Sequence, residues 1–330
     1  MTKMKKIIAG GLAAIMAVSF AACSADAGKD DGGNDSAAAK TGLGVVSQIL
    51  DVKDTTLEID SVAAAVLVDA DGKLIDVKID EAQTKPDLAK DSGNVTDLRT
   101  KYEKKEDYAM KSVSAANGIG KEWYEQADHF MSWAKGKTID EIKAGVGTDG
   151  YPSDADLKAG CTIVATGFVS AVEKAVANAQ DLGAASTDTL KLAIKTEKYY
   201  ESDDKNLQYD SNYAAVTVDA EGKITSTLID ASQAKCSMAD GKFTVAAGEF
   251  KSKKELKEDY NMKAVSAASG IGKEWYEQAK AYEDWAKGKT AAEIKAAVGT
   301  DGYSSDADLK AGCTIIVTAI AETVAQAATV

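Results

Sequence analysis

The run VAAAVLVDADGKLIDVKID (62–80) is apolar, breaks into polar turn residues, and becomes apolar again. Two β-runs joined through Asp71-Gly72 predict a hairpin, because such pairs accept the left-handed backbone of a tight turn. Further along, the period changes. Trp123, Ala127, Phe130 and Ala134 fall at i, i+4, i+7 and i+11, one apolar stripe of a helix that Gly136 ends. Thr138-Ile-Asp-Glu141 fits a capping box that opens a short helix, DEIKAG. FVSAVEKAVANA (168–179) reads as a last packing helix.

Each of these signals occurs twice. VDADGKLIDVKIDEAQTK (68–85) returns as VDAEGKITSTLIDASQAK (218–235), and EDYAMKSVSAANGIGKEWYEQA (106–127) as EDYNMKAVSAASGIGKEWYEQA (258–279). GTDGY follows at 147–151 and 299–303, and SDADLKAGCTI is identical at 153–163 and 305–315. A period this long repeats a domain and not a solenoid unit. The expected fold is α+β: two tandem homologous domains, 43–182 and 183–330, each a small antiparallel sheet with helices packed on one side. Divergence is uneven. Residues 43–61 and 183–212 share almost nothing, while the WYEQ and AGCT segments are nearly unchanged.

Composition narrows the function classes. The 330 residues carry a net charge of −13, with no basic stripe of the kind that releases counterions from phosphates, so nucleic acid is excluded as a partner. The single histidine, His129, has Ala281 as its counterpart, so chemistry common to both copies does not use histidine. It reads as a surface or partly packed helix residue.

At the N-terminus, Lys3, Lys5 and Lys6 precede the apolar run IIAGGLAAIMAVSFAA, which stops at Cys23. A basic head and an apolar stretch too short to span stably mark a secretory signal at 1–22. Ala21-Ala22-Cys23 looks like the lipobox of bacterial lipoproteins, in which the cysteine is acylated. The resemblance implies lipidation of Cys23 and a place on the extracytoplasmic face of the membrane. Residues 23–42 are polar and Gly/Ala/Asp-rich, and are expected to be a flexible tether with about 25 Å of reach. Cys161, Cys236 and Cys313 remain; a Cys236–Cys313 bridge is left open, and no metal site of CxxC spacing exists.

The eleven-residue repeat supports two readings. Ser153-x-x-Asp156 is a capping pattern, so DADLKAG reads as one short helix with Ser153 as N-cap and Gly160 as its stop, followed by a strand, CTIVAT. The sharper reading starts from D-x-x-A-G-C-T itself. A lipid-anchored tandem protein with a VDxxGK hairpin and this late motif resembles the FMN-binding-domain lipoproteins of extracellular electron transfer in Gram-positive bacteria. In that family a flavin transferase joins FMN through its phosphate to the threonine closing D-x-x-[ST]-G-A-T. Asp156, Gly160 and Thr162 match that motif in the first copy, and Asp308, Gly312 and Thr314 in the second. Ala159 and Ala311 stand where the family has Ser or Thr, and Cys161 and Cys313 where it has Ala.

The resemblance implies a redox carrier with FMN on a threonine in each copy, receiving electrons from a membrane donor and passing them outward. On that resemblance it would be an electron-transfer flavoprotein without a dedicated catalytic residue set, since the flavin supplies the redox chemistry. Trp123, Tyr124, Trp275 and Tyr276 are candidates to stack on the ring, with Trp123 and Trp275 alternatively anchoring the core of their stripe. Glycine before the threonine allows close backbone approach to a phosphate, and a following helix N-terminus would offer it N–H donors. The alternative is a non-catalytic surface lipoprotein whose flavin-free repeats bind a small ligand or a protein. Asp149, Asp154 and Asp156, with Asp301, Asp306 and Asp308, could gather a calcium ion, but their spacing misses the EF-hand pattern. The Gly-Ile-Gly stretches at 118–120 and 270–272 read as turns before a helix and not as phosphate loops.

Overall fold

A computed structural model of the chain describes residues 37–200 and 205–329. Its first copy opens with three strands, β1 (Ala38–Leu50), β2 (Glu58–Val68) and β3 (Leu74–Thr84). Seven helices follow: α1 (Leu88–Asp91), α2 (Lys101–Lys104), α3 (Lys111–Ala116), α4 (Trp123–Ala134), α5 (Ile139–Ala144), α6 (Ala155–Lys158) and α7 (Thr166–Ala177). A connecting strand, β4 (Gln180–Ala185), leads into the second copy. There β5 (Thr189–Tyr200), β6 (Asn206–Val218) and β7 (Ile224–Ala239) repeat the meander, with short β8 (Lys242–Phe243) and β9 (Gly248–Phe250) added. The helices return as α8 (Lys253–Leu256), α9 (Met262–Ala267), α10 (Trp275–Ala286), α11 (Ala291–Ala296), α12 (Ala307–Lys310) and α13 (Thr318–Thr329).

The fold is α+β, with two antiparallel sheets ordered β3-β2-β1-β4 and β5-β6-β7-β8. The hairpin signals are realised as read. Asp69 Oδ1 accepts the N–H of Asp71 and of Lys73, Gly72 takes φ +79°, and Asp219 with Gly222 repeats the turn. Both capping boxes, Thr138/Glu141 and Thr290/Glu293, are formed.

One side of each sheet holds the helices. Val62, Ala64, Val66 and Val68 pack against Trp123, Phe130 and Phe168 in the first copy. Ala214, Val216 and Val218 pack against Trp275, Tyr282 and Ile320 in the second. The opposite faces, including Ala63, Ala65 and Leu67 of β2 with Tyr213, Ala215 and Leu228, pack on each other. The copies are therefore not self-contained as their sequences suggest. Strands buried on both faces read as continuous apolar runs, which is why VAAAVLV has no polar alternation.

Hydroxyls cross this inner layer. Tyr213 Oη lies 2.6 Å from Ser232 Oγ and 3.5 Å from Ser47 Oγ, and Ser47 lies 2.9 Å from Ser61. Thr41, Ser226 and Thr217 form a second chain, each link 2.6 Å. Helix α7 lies directly on β1, where a Cβ on Gly42 or Gly44 would come within about 2 Å of a carbonyl of that helix. β1 also pairs with β4 and with β9 of the other copy. It begins at Ala38, so Ala38–Gly42 of the expected tether are strand, and the expected boundary at 182/183 falls inside β4. The signal, Cys23 and the rest of the tether lie outside the described residues. Among those described, no helix is long and apolar enough to cross a membrane.

Candidate functional site

The two unchanged segments of the sequence are fastened to each other. Gln126 sits among the buried positions of α4, fully enclosed. Its Oε1 accepts the backbone N–H of Thr162 at 2.9 Å, and its Nε2 donates to the Lys121 carbonyl at 3.2 Å. Gln278 repeats both bonds, to the Thr314 N–H at 2.9 Å and the Lys273 carbonyl at 3.1 Å. A buried carboxamide must find partners, and here the partners are the loop that carries the threonine.

That loop is irregular backbone and not the expected strand. β-branched propensity yields to tertiary context here: the segment joins α6 to α7, and the Gln126 carboxamide takes the Thr162 amide that a strand neighbour would have used. The preceding helix also starts differently. Asp154, not Ser153, is its N-cap and accepts the Leu157 N–H at 3.0 Å; the Ser153 amide is bonded to the Gly145 carbonyl. Gly160 is not a left-handed helix stop. A Cβ there would fall 2.3 Å from the His129 ring, and one on Gly312 would fall 2.7 Å from the Ala281 Cβ. Both glycines permit close packing of the loop on the long helix. His129, partly packed, puts Nε2 2.8 Å from the Asp156 carbonyl oxygen.

Thr162 and Thr314 are half-buried, with Oγ1 3.4 Å from the glutamine oxygen. Thr314 Oγ1 also lies 2.6 Å from Ser269 Oγ. Beside Thr314 opens a cleft of about 890 Å³, inside the range of roughly 300–1,000 Å³ usual for small-molecule sites. Glu197, Asp210 and Asn212 of the sheet line it, with Lys253, Trp275 and Lys310. Helix α7 begins four residues after Thr162 and has no capping side chain at its start.

The ten candidate residues divide. Thr314 and Trp275 share the cleft. Tyr276 lines a different groove, with Lys254 and Glu283, and its hydroxyl donates to Glu258 at 2.9 Å. Tyr124 donates to Glu106 at 3.0 Å in the same way. Trp123 is core, edge-on to Phe168 with ring centroids 5.5 Å apart, and Trp275 is nearly as buried although it borders the cleft. The Asp156 and Asp308 side chains are exposed. Asp149 and Asp154 spend carboxylate oxygens on the N–H groups of Tyr151 and Leu157.

Cys161, Cys236 and Cys313 are free and buried, so the Cys236–Cys313 bridge is not formed. Burial pushes the thiols of Cys161 and Cys313 up to about 11, which removes them as nucleophiles beside the threonines.

Sequence reasoning missed the rim. Val265, Tyr303 and Ile316 line the mouth of the cleft, and their repeat equivalents are Val113, Tyr151 and Val164. All six are 43–68% exposed. Identical Val and Tyr at solvent-facing positions of VSAA and GTDGY were the available signal, since burial gives no reason to keep them. No protein-family model matches the chain, and neither does any curated protein or any solved structure.

Proposed function

We propose that this chain is a lipid-anchored, extracytoplasmic flavin carrier. FMN is joined through its phosphate to a threonine of the repeated D-x-x-A-G-C-T loop, and Thr314 is the better furnished of the two. Cys23 supplies the acylated anchor, a flavin transferase the modification, and a membrane protein the electrons. The observation that carries this reading is the Thr314 hydroxyl at the edge of a cleft large enough for a tricyclic ring. FMN would supply the redox chemistry; the chain's part is to hold and orient it.

The residues present fit such a group. Tyr303 offers aromatic surface, Val265 and Ile316 apolar contact, Asn212 a carboxamide, and Lys253 and Lys310 positive charge. Tyr124 and Tyr276, tied to glutamates away from the cleft, drop out of the stacking role, and Tyr303 takes it. The test is the absorption spectrum of protein produced with a flavin transferase and then denatured and desalted. A retained band near the flavin maximum, lost on Thr314→Ala, is expected; a colourless denatured chain would refute covalent attachment.

The repeated apolar rims favour a second reading, in which flavin-free copies bind a partner through Val113, Tyr151 and Val164 and through Val265, Tyr303 and Ile316. That reading predicts a colourless protein whose partner binding falls when both tyrosines are replaced by serine.

A further inference from the structure

The two copies furnish equivalent positions differently. In the first, Glu81 reaches the Lys101 ammonium at 2.6 Å, and both side chains are buried. Ala231 stands at the matching place in the second copy, because β2–β3 pairs Val62 with Glu81 and β6–β7 pairs Asn212 with Ala231. Lys253, the twin of Lys101, consequently has no carboxylate partner among the described residues; its ammonium lies 5.5 Å from the Trp275 ring and 5.0 Å from that of Tyr260. It is also less enclosed.

Two further exchanges act in the same direction. Phe168, edge-on to Trp123 and Phe130, becomes the smaller Ile320. Val62, whose methyl would meet a Cβ on Gly167 at 3.2 Å, becomes Asn212, half-buried at the cleft wall. At the positions equivalent to the cleft lining, the first copy thus carries larger, apolar or self-paired side chains. Small ones, and polar ones with bonding capacity to spare, border the ground beside Thr314.

We propose that the duplication is functionally asymmetric. The cleft beside Thr314 binds one flat heteroaromatic ligand with a carbonyl-bearing edge, and the position beside Thr162 binds none. Chemistry selects that class. Asn212 and Lys253 present N–H donors that meet ring carbonyl oxygens, while both oxygens of Asp210 are already engaged. They accept from Gln208 at 2.6 Å and from Gln233 at 3.0 Å, and the Glu197 carboxylate is exposed to solvent. Tyr303, Val265 and Ile316, all exposed, supply surface for the ring faces. The inference takes only the size and shape of its ligand from the flavin reading.

The test is titration calorimetry of the unmodified chain, made without a flavin transferase, with riboflavin and with FMN as probes. One site per chain is expected. Tyr303→Ser should weaken binding roughly three- to tenfold, and Tyr151→Ser should leave it unchanged; both tyrosines are exposed, so neither variant endangers folding. The triple variant Asn212→Val, Ala231→Glu, Ile320→Phe copies the first-copy residues and should abolish binding. Two equal sites, one site lost with Tyr151→Ser, or no binding of either probe would each overturn the asymmetry. Covalent flavin found on Thr162 and Thr314 alike would leave the carrier reading standing while this inference fails.

Discussion

Gln278 Oε1 accepts the Thr314 backbone N–H at 2.9 Å, and Gln126 Oε1 accepts that of Thr162 at the same distance. Each glutamine is a buried polar residue on its helix's core-facing stripe, and each holds the loop that carries a candidate hydroxyl. Truncating it leaves a loop N–H without its partner and opens a void, while the helix-start carbonyl keeps the hydroxyl of Ser266, or of Ser114 in the first copy. Gln278→Ala should therefore cost roughly 2–4 kcal/mol, seen as a lower urea midpoint with unchanged slope. Gln126→Ala should do the same in the first copy.

Tyr213 tests the layer between the sheets. Its ring is enclosed by apolar residues of both copies, and its hydroxyl is bonded to Ser232 at 2.6 Å. Tyr213→Phe keeps the ring and orphans the serine, so a loss of about 1–2 kcal/mol is expected. Chemical denaturation with one shared transition for both copies would be its companion observation, since the two sheets bury each other.

Asp60 makes stability depend on pH. Burial, and then repulsion from Glu81, push its carboxyl from 3.8 up to about 8. Its Oδ1 is buried without a partner among the described residues. The folded chain keeps this proton up to about pH 8, whereas the unfolded chain releases it near pH 4. Between those values the unfolded state binds fewer protons, so this group's contribution to stability falls as pH rises. Asp60→Asn should raise stability at neutral pH by on the order of 1–3 kcal/mol, with the gain shrinking towards pH 4. Thermal melts of both proteins from pH 4 to 8 check it.

Much of the fold was legible. The hairpin at Asp71-Gly72, the stripe of Trp123, Ala127, Phe130 and Ala134, and the capping box at Thr138 all depend on neighbours in sequence, and local chemistry decides them. β1 was not legible, because its glycines at 42 and 44 answer to α7, more than 120 residues away, and its far edge answers to β4 and β9. The continuous apolar run of β2 announced a strand but not its second covered face. At the site, the sequence singled out Thr314 and Trp275, which do share a cleft. It failed on Tyr276, since helical spacing places a residue on a face without saying which groove that face borders. It overlooked Tyr303 and Val265, because exposure cannot be read from letters.

Flavin attached to a repeated threonine, as proposed, would change the mass of the chain, and intact-mass spectrometry of the mature chain, isolated from cells that contain a flavin transferase, reads that change. The account predicts a species heavier by one FMN less one water, with the increment mapped to the peptide holding Thr314 and absent from Thr314→Ala. A chain of unmodified mass from those cells would contradict it.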